Sequence, residues 1–568
     1  MDGWSRGAWR GAVIGACLAT ALACTWPLAL HVTSSVPLGT ETAPTVPVFD
    51  VWTLWWSADR LMHGYADLWN APIFHPIQGA FAFSEPLLLP GAIAAPLFAL
   101  HAPPALAHNF ALLVVLSLGG IVACRLARGL GVPRLPALLG GVLMVALPIF
   151  AKMQGDLPVV GLGGMLAALD GLVRFGEDGR TRNAATAAAG LIAQALTSQQ
   201  LALFSLLFVG AAALVAIGQR RFDRGSIARL GSAAVCAAIV LFVVARVPIR
   251  VHAQLGFERD ADLVQSLSAK PLDFLLRPAG AILAFPPRQD PTASTQGLFP
   301  GVVLLLLAFF GAIAPLPPGP SSRWRWYALI ACPVAFLLAL GLNLSFGGWR
   351  PFATLRHLRG FAEIRSAFRC AAFVQVHLVL LAAFGLGGLW RRLGRWPHRH
   401  GAVLAVGLLA AGENLSVPAR LLSVPRSPRT EWSSFLAGQK PGTVVAHVPF
   451  PKSGSVEDLA PEAWRMFAQI DHRQPLVNGY ASHFPAESRE FLFAMAAAFP
   501  NPPLACALRR VFKTDLLVVD HEWLSDHQEF AGLAAMMDTT YADEDVTIYR
   551  LCPTLSQCPP MRLDVLRP

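Results

Sequence analysis

From Gly11 to about Pro418 the chain is a succession of apolar runs, and after Pro418 the succession stops. Each run is near the ~20 residues a helix needs to cross the hydrocarbon core of a bilayer. No other feature limits the fold so strongly. In lipid every backbone N–H and C=O must be satisfied internally, so repeated runs of this length imply a bundle of helices. The runs are 11–31, 105–124, 132–150, 158–174, 183–197, 200–218, 230–250, 297–315, 327–346, 371–390 and 401–417. The expectation is an α-helical polytopic membrane protein with about eleven transmembrane helices over 1–417, followed by a soluble α/β domain over 418–568. Charged residues make up 14% of the chain, against about 25% in a typical soluble protein, so several soluble domains in series are excluded.

One further run, 86–100, is short, carries three prolines and ends in HAPP. If it crossed, every later loop would change side. If it re-enters or lies at the surface, the inner loops hold 18 arginines against 4 acids, while the outer loops are close to balanced. The positive-inside rule selects the second arrangement. It places the N-terminus in the cytoplasm and the C-terminal domain on the outer face. The net charge of +10 is then mainly inner-loop arginine and calls for no nucleic-acid partner. MDGWSRGAWR followed by ACLATALAC resembles a signal peptide but reads as an uncleaved first span, because the later runs already commit the chain to the membrane. Cys17, Cys24, Cys124, Cys236 and Cys332 read as inert apolar residues, and Cys370 and Cys506 as unpaired. Cys552 and Cys558 form a candidate disulfide in an oxidising space.

The outer loops are unequal. Three are long, at 32–104, 251–296 and 347–370, and they carry the acids, histidines, tryptophans and arginines. Transporters place ionisable groups inside the spans. Here the spans hold almost none, so any chemistry belongs at the outer lipid boundary. Asp50–Met62 reads as an amphipathic helix lying flat on the outer leaflet. Val51, Leu54, Trp55, Ala58 and Leu61 form its apolar face, and Trp52, Trp55 and Trp56 suit the headgroup layer. Asp50 at its start is a helix cap, a catalytic base, or both. Asp67, His63, His75 and Glu85 are further polar candidates. Nothing there has tight metal-ligand spacing.

FDVWTLWWSADRLMHG, FHPIQGAFAFSEP, QGDLP at 154–158, ERDADLVQSLSAKPLDFLLRP at 258–278, FAEIRSAFRCAAF at 361–373 and RQPLVNGYASHFP at 473–485 together resemble the GT-C superfamily of membrane glycosyltransferases, in particular bacterial multi-span members. The resemblance implies a bacterial inner-membrane enzyme. Its donor would be a sugar on a polyprenyl phosphate, its acceptor a glycan, lipid or protein, and its surroundings membrane lipids. It implies an acid in the first outer loop that deprotonates the acceptor hydroxyl or supports a metal. Asp50 matches that position, and Asp156 is a second acid. The paired DxD or ExD motif of the family is missing, because Asp50 stands alone until Asp59. A cofactor is therefore unassigned, with a divalent cation left open. The leaving phosphate needs fixed cations. Arg365, Arg369, Arg259 and Arg277 are candidates, with Lys270, Arg356 and Arg359, and His75 and Glu85 are added as substrate-binding groups. Arginine suits bidentate phosphate contact, although arginines at span ends also bind lipid phosphates. Gln199 and Gln200 either hydrogen-bond a sugar or cap a turn, and the turn is the simpler reading.

In the C-terminal domain, 442–450, 514–524 and 545–551 read as strands, with helices between them, giving a partly parallel sheet. It shows no nucleotide-binding loop and no GxSxG elbow. Asp520-His521-Glu522 reads as loop polarity. NGYASHFP at 478–485 would cover the site or grip an acceptor. Three functions follow: a polyprenyl-phosphate-sugar-dependent glycosyltransferase, a lipid-linked-glycan transporter or flippase, and a non-catalytic subunit of envelope glycan assembly. Convergence of Asp50 and the arginines on one cavity favours the first.

Overall fold

The computed structural model describes residues 5–40, 44–315, 321–358 and 360–551. Among them seven helices are long and apolar enough to cross a membrane: Arg6–Cys24, Pro104–Gly129, Arg134–Lys152, Leu157–Asp178, Gln199–Gln219, Arg224–Leu255 and Ala367–Arg392. The chain is a multi-pass membrane protein. The other four expected runs are helical as well, as Thr181–Thr197, Val302–Ile313, Ser321–Ala339 and Arg399–Glu413.

Small residues let these helices approach closely, as the lack of a hydrophobic driving force in lipid requires. A Cβ on Gly311 would collide with the Leu381 carbonyl, and one on Gly385 with the Leu307 carbonyl. The Val302–Ile313 and Ala371–Arg392 helices therefore meet backbone to backbone. Gly164, Gly171 and Gly190 do the same between Gly163–Asp178 and Thr181–Thr197. Arg224–Leu255 is the opposite case. Its 32 residues leave Val235, Ile239, Val240, Phe242 and Val243 exposed as a lipid-facing stripe.

After the last helix, residues 445–550 form a four-stranded sheet in the order Val445–Val448, Leu516–Asp520, Val546–Arg550, Asp538–Ala542. The first pair is parallel and the others antiparallel. The sequence pattern missed Asp538–Ala542, whose DTTYA is mostly polar and exposed as an edge strand. Cys506 is disulfide-bonded, not unpaired as the sequence reading had it. The candidate Cys552–Cys558 pair lies outside the described residues.

The tryptophan-rich helix departs most from expectation. It runs Thr45–Met62 and is buried on nearly every side. It packs against Leu88–Ala99 and Val456–His472. Trp52, Trp55 and Trp56 join Phe74, Phe81 and Phe83 and the sheet residues Val445, Leu516, Val518 and Ile548 in one apolar cluster. Trp52 Nε1 donates to Gln469 Oε1 at 2.9 Å and Trp56 Nε1 to the Leu68 carbonyl at 2.8 Å. The polar face is used too. Asp59 is 1% exposed and pairs with Arg60 and, at 2.9 Å, with Arg473. The period-3.6 pattern shows one apolar face but cannot show that a domain 400 residues later covers the other. Ser35–Pro37 pairs antiparallel with Leu421–Ser423 at the same junction.

Candidate active site

A cavity of about 900 Å³ opens between the Thr45–Met62 helix, the ends of three membrane helices and residues 480–483. Asp50, Glu85, Asp156, Arg259, Arg365 and Arg369 all line it. These six, all nominated from sequence, come from five separate segments; Gln199, Gln200 and Arg356 line the cavity as well, whereas His63 and Asp67 do not.

Asp50, Asp156 and Glu85 stand around Arg369. Asp50 sits more than a turn inside its helix, so it does not cap that helix. Its Oδ2 accepts the Leu157 N–H at 2.9 Å. That donor is one of the orphan groups at the start of the helix Leu157–Val160, where a carboxylate is favoured. Burial, and then the Asp156 carboxylate, hold the Asp50 carboxyl well above the usual range, against the pull of the Leu157 N–H and Arg369. Glu85 Oε1 accepts the Gln200 N–H at 2.8 Å and the Ser198 hydroxyl at 3.1 Å. Its Oε2 is buried with no partner among the described residues. Burial pushes the Glu85 carboxyl up to about 7, although the Gln200 N–H and Arg369 pull it down. Asp156 pairs with Arg369, which also donates to Gln200 Oε1 at 2.9 Å. Gln200 thus links the acids to the arginine, a role beyond the turn cap read from sequence.

Arg259, Arg356 and Arg365 stand together beside Glu363. Arg259 Nη2 donates to the Ser482 carbonyl at 2.6 Å and to its hydroxyl at 2.9 Å. Arg356 donates to the Arg259 carbonyl. Arg365 has no hydrogen-bond or ion-pair partner among the described residues. Burial, and then Arg365, bring the Arg259 guanidinium down to about 10. His483 stacks on Phe257 at 4.8 Å. Burial, and then Arg259, drive its imidazole down to about 2, so it is neutral. His252 bridges Glu363 and the Ala82 carbonyl, at 2.6 Å each. Sequence reasoning missed His252, Glu363 and Ser482, because no local pattern marks them. Several crowded cations with one unpaired are unfavourable until an anion binds, and a phosphate ester has the right charge. An apolar stretch of the wall comes from Leu191, Leu203, Leu206, Leu241, Val244 and Pro248.

The structure of the arabinofuranosyltransferase AftD from Mycobacteria aligns with 96% of this chain at a TM-score of 0.58 and 16% identity. The chain has the GT-C fold. It spans about 40% of the length of that protein. A mutant form of AftD aligns at a TM-score of 0.54, also with 16% identity, over 96% of this chain and 42% of that one. ArnT from Cupriavidus metallidurans bound to undecaprenyl phosphate matches at 0.47, with 11% identity, over 97% of this chain and 99% of that one. No family model and no curated protein matches the sequence.

Of the nominated phosphate- and substrate-binding residues, Arg277, His75 and Lys270 lie elsewhere. Arg277 is buried in an ion pair with Glu413 at 2.5 Å, over the Phe299 ring. Span ends need such pairing, and the RP dipeptide in sequence did not reveal it. His75 is held by its backbone, whose N–H donates to the Leu476 carbonyl at 2.9 Å, and is absent from the cavity wall. Burial lowers its imidazole. Lys270 also lies outside the wall, and Arg359 outside the described residues. Asn478 in the 478–485 loop is structural, bonding His447 and Glu462, whereas Tyr480, Ser482 and His483 line the cavity. Among the described residues no three His, Cys, Asp or Glu side chains stand together as a metal-binding group. Asp156 faces Arg369, and Asp50 Oδ2 faces a backbone N–H.

Proposed function

We propose that this chain transfers a sugar from a polyprenyl-phosphate-linked donor to an acceptor hydroxyl on the outer face of the membrane, with inversion at the anomeric carbon. The observation behind this reading is one cavity in which Asp50, Asp156 and Glu85 surround Arg369, Arg259 and Arg365 stand close by, and apolar side chains between helices continue the wall. The AftD structure belongs to an arabinofuranosyltransferase, and a sugar-transfer reading carries that chemistry to this chain. Eleven crossings, with the N-terminus inside and residues 418–568 as an outer domain, set the cavity at the outer leaflet.

In this mechanism the donor phosphate sits against Arg365 and Arg259, and its prenyl chain lies along Leu203, Leu206, Leu241 and Val244. The acceptor hydroxyl attacks the anomeric carbon and the bond from that carbon to the phosphate oxygen breaks. The hydroxyl proton passes to Asp50, and polyprenyl phosphate leaves with its new charge held by the arginines. A base whose pKa is raised toward the working pH is stronger than an ordinary carboxylate. Asp156 holds Arg369 in place, and Glu85 positions Gln200.

The test is transfer of radiolabelled sugar from a panel of polyprenyl-phosphate sugars by membranes carrying wild type or Arg365→Met. The reading expects transfer by wild type and a raised donor KM in the variant. Transfer with unchanged kinetics in Arg365→Met would remove the phosphate assignment. Movement of intact lipid-linked glycan across vesicles, with no transfer, would favour a transporter.

A further inference from the structure

Two exposed apolar elements remain unaccounted for by the cavity. The first is the segment Ile282, Leu283, Ala284 and Phe285. All four are exposed and apolar, and Phe285 is 80% exposed. The second is a hairpin. Phe346 and Trp349 exchange both backbone hydrogen bonds, at 2.9 and 3.0 Å. The two residues between them are Gly347 and Gly348, at φ +56 and +89. Positive φ at both central positions is the type I′ geometry, one of the two favoured for a two-residue hairpin. It presents Phe346 and Trp349, the latter 58% exposed. Exposed apolar runs of this kind are disfavoured in water and mark an interaction surface.

Their attachment points to what covers them. The Ile282 N–H donates to the carbonyl of Leu415, just past the end of Arg399–Glu413. Arg277 Nε donates to the Phe285 carbonyl, and Arg277 is paired with Glu413. Glu413 in turn accepts the N–H groups of Val302 and Val303 at 2.6 and 2.7 Å, at the start of Val302–Ile313. On the hairpin side, the Ala269 N–H donates to the carbonyl of Ala339, the last residue of Ser321–Ala339, and Asn343 Nδ2 donates to the Ser268 carbonyl. All three helices leave large apolar side chains exposed, among them Leu306 and Phe309, Ile330, and Leu408 and Leu409. The two elements therefore continue the outward-facing apolar surface of these helices at the cavity end of the bundle. Exposed Lys270, Arg288 and Arg350 flank them, where cations meet lipid phosphates.

We infer that the 282–285 finger and the 346–349 hairpin insert into the headgroup–acyl boundary of the bilayer on the cavity side. They are the interfacial anchors of this protein, the role that sequence assigned to Trp52, Trp55 and Trp56. Aromatic side chains favour that layer because one part of the ring is apolar and another polar. The finger belongs to the 251–296 loop and the hairpin opens the 347–370 loop, the loops that carry Arg259 and Arg365. They therefore hold these arginines at headgroup depth. The inference rests on the three helices spanning the bilayer and is independent of whether the cavity transfers sugar.

The experiment places the full chain in nanodiscs of phosphatidylcholine with brominated or ordinary acyl chains. Phe285→Trp should add emission that brominated lipid quenches. Trp349→Phe should remove a quenchable part of the parent emission. Acrylamide in the water phase should reach neither site well. Added Phe285→Trp emission that acrylamide quenches and brominated lipid leaves untouched would overturn the inference, as would Trp349→Phe leaving lipid quenching unchanged. Both sites are exposed, so neither substitution disturbs a packed core.

Discussion

Arg277→Met separates two readings of the same residue. Sequence nominates Arg277 for the donor phosphate, whereas the structure gives it to Glu413. The guanidinium is 2% exposed and the carboxylate 6%. Breaking a buried ion pair from one side costs about 3–5 kcal/mol, because the remaining charge is left uncompensated. Arg277 also bonds the Glu413 carbonyl at 3.0 Å and the Phe285 carbonyl at 2.8 Å, each about 1 kcal/mol net. The expectation therefore lies toward the upper end of that range. Glu413 keeps only the Val302 and Val303 N–H groups, so Arg277→Met/Glu413→Gln, which removes the stranded charge, should regain much of the loss. The assay is reversible unfolding in mixed micelles, with sugar transfer measured per folded molecule. The account predicts low stability and normal donor KM. Stability within about 1 kcal/mol of wild type, the size of a single ordinary hydrogen bond, would refute it, as would a donor KM raised at normal stability.

Three further outcomes follow from the same geometry. The folded pKa of Glu85, about 7, lies above an unfolded value of about 4.3. Its stabilising share is therefore complete at low pH, is lost as pH rises through about 7, and is constant beyond. Glu85→Gln should remove that slope and gain on wild type at pH 8 relative to pH 5 in thermal unfolding. His472 is the reverse case. Burial pushes its imidazole down to about 3, below an unfolded value of about 6.5, so its share is present above pH 6.5 and lost as pH falls. His472→Asn keeps an acceptor for the Gln474 N–H and should make acid unfolding of this region, followed by hydrogen exchange, shallower. Gly311→Ala must push the Leu381 carbonyl away, and should lower thermal stability by roughly 1–3 kcal/mol, the range for overpacking. An unchanged melting temperature would mean that these two helices do not meet as described.

Much of the bundle was legible because lipid imposes one rule on every span, and that rule acts on local sequence. All eleven apolar runs became helices, and strands formed inside the three segments read after residue 440, although the 514–524 reading ran too far, because His521–Asp526 is helical. Membership of the site was legible for a different reason. Asp50, Asp156, Glu85 and the arginines stand out as charge next to apolar spans, where charge is costly unless used. What stayed hidden depended on contacts distant in sequence. Trp52 meets Gln469 and Asp59 meets Arg473, partners about 400 residues away, so the helix looked like a surface helix. Arg277 and Arg365 look alike in sequence, and only Glu413 tells them apart. His252 and Glu363 are 111 residues apart and carry no shared motif.

The most direct test of the central claim is sugar transfer by Asp50→Asn, in membranes where the variant is expressed and folded as wild type. Asparagine keeps an oxygen for the Leu157 N–H but cannot take a proton. The account predicts donor binding intact and transfer reduced by about 10²–10⁴, the usual contribution of a general base. Transfer at the wild-type rate would contradict it and leave the cavity without its base.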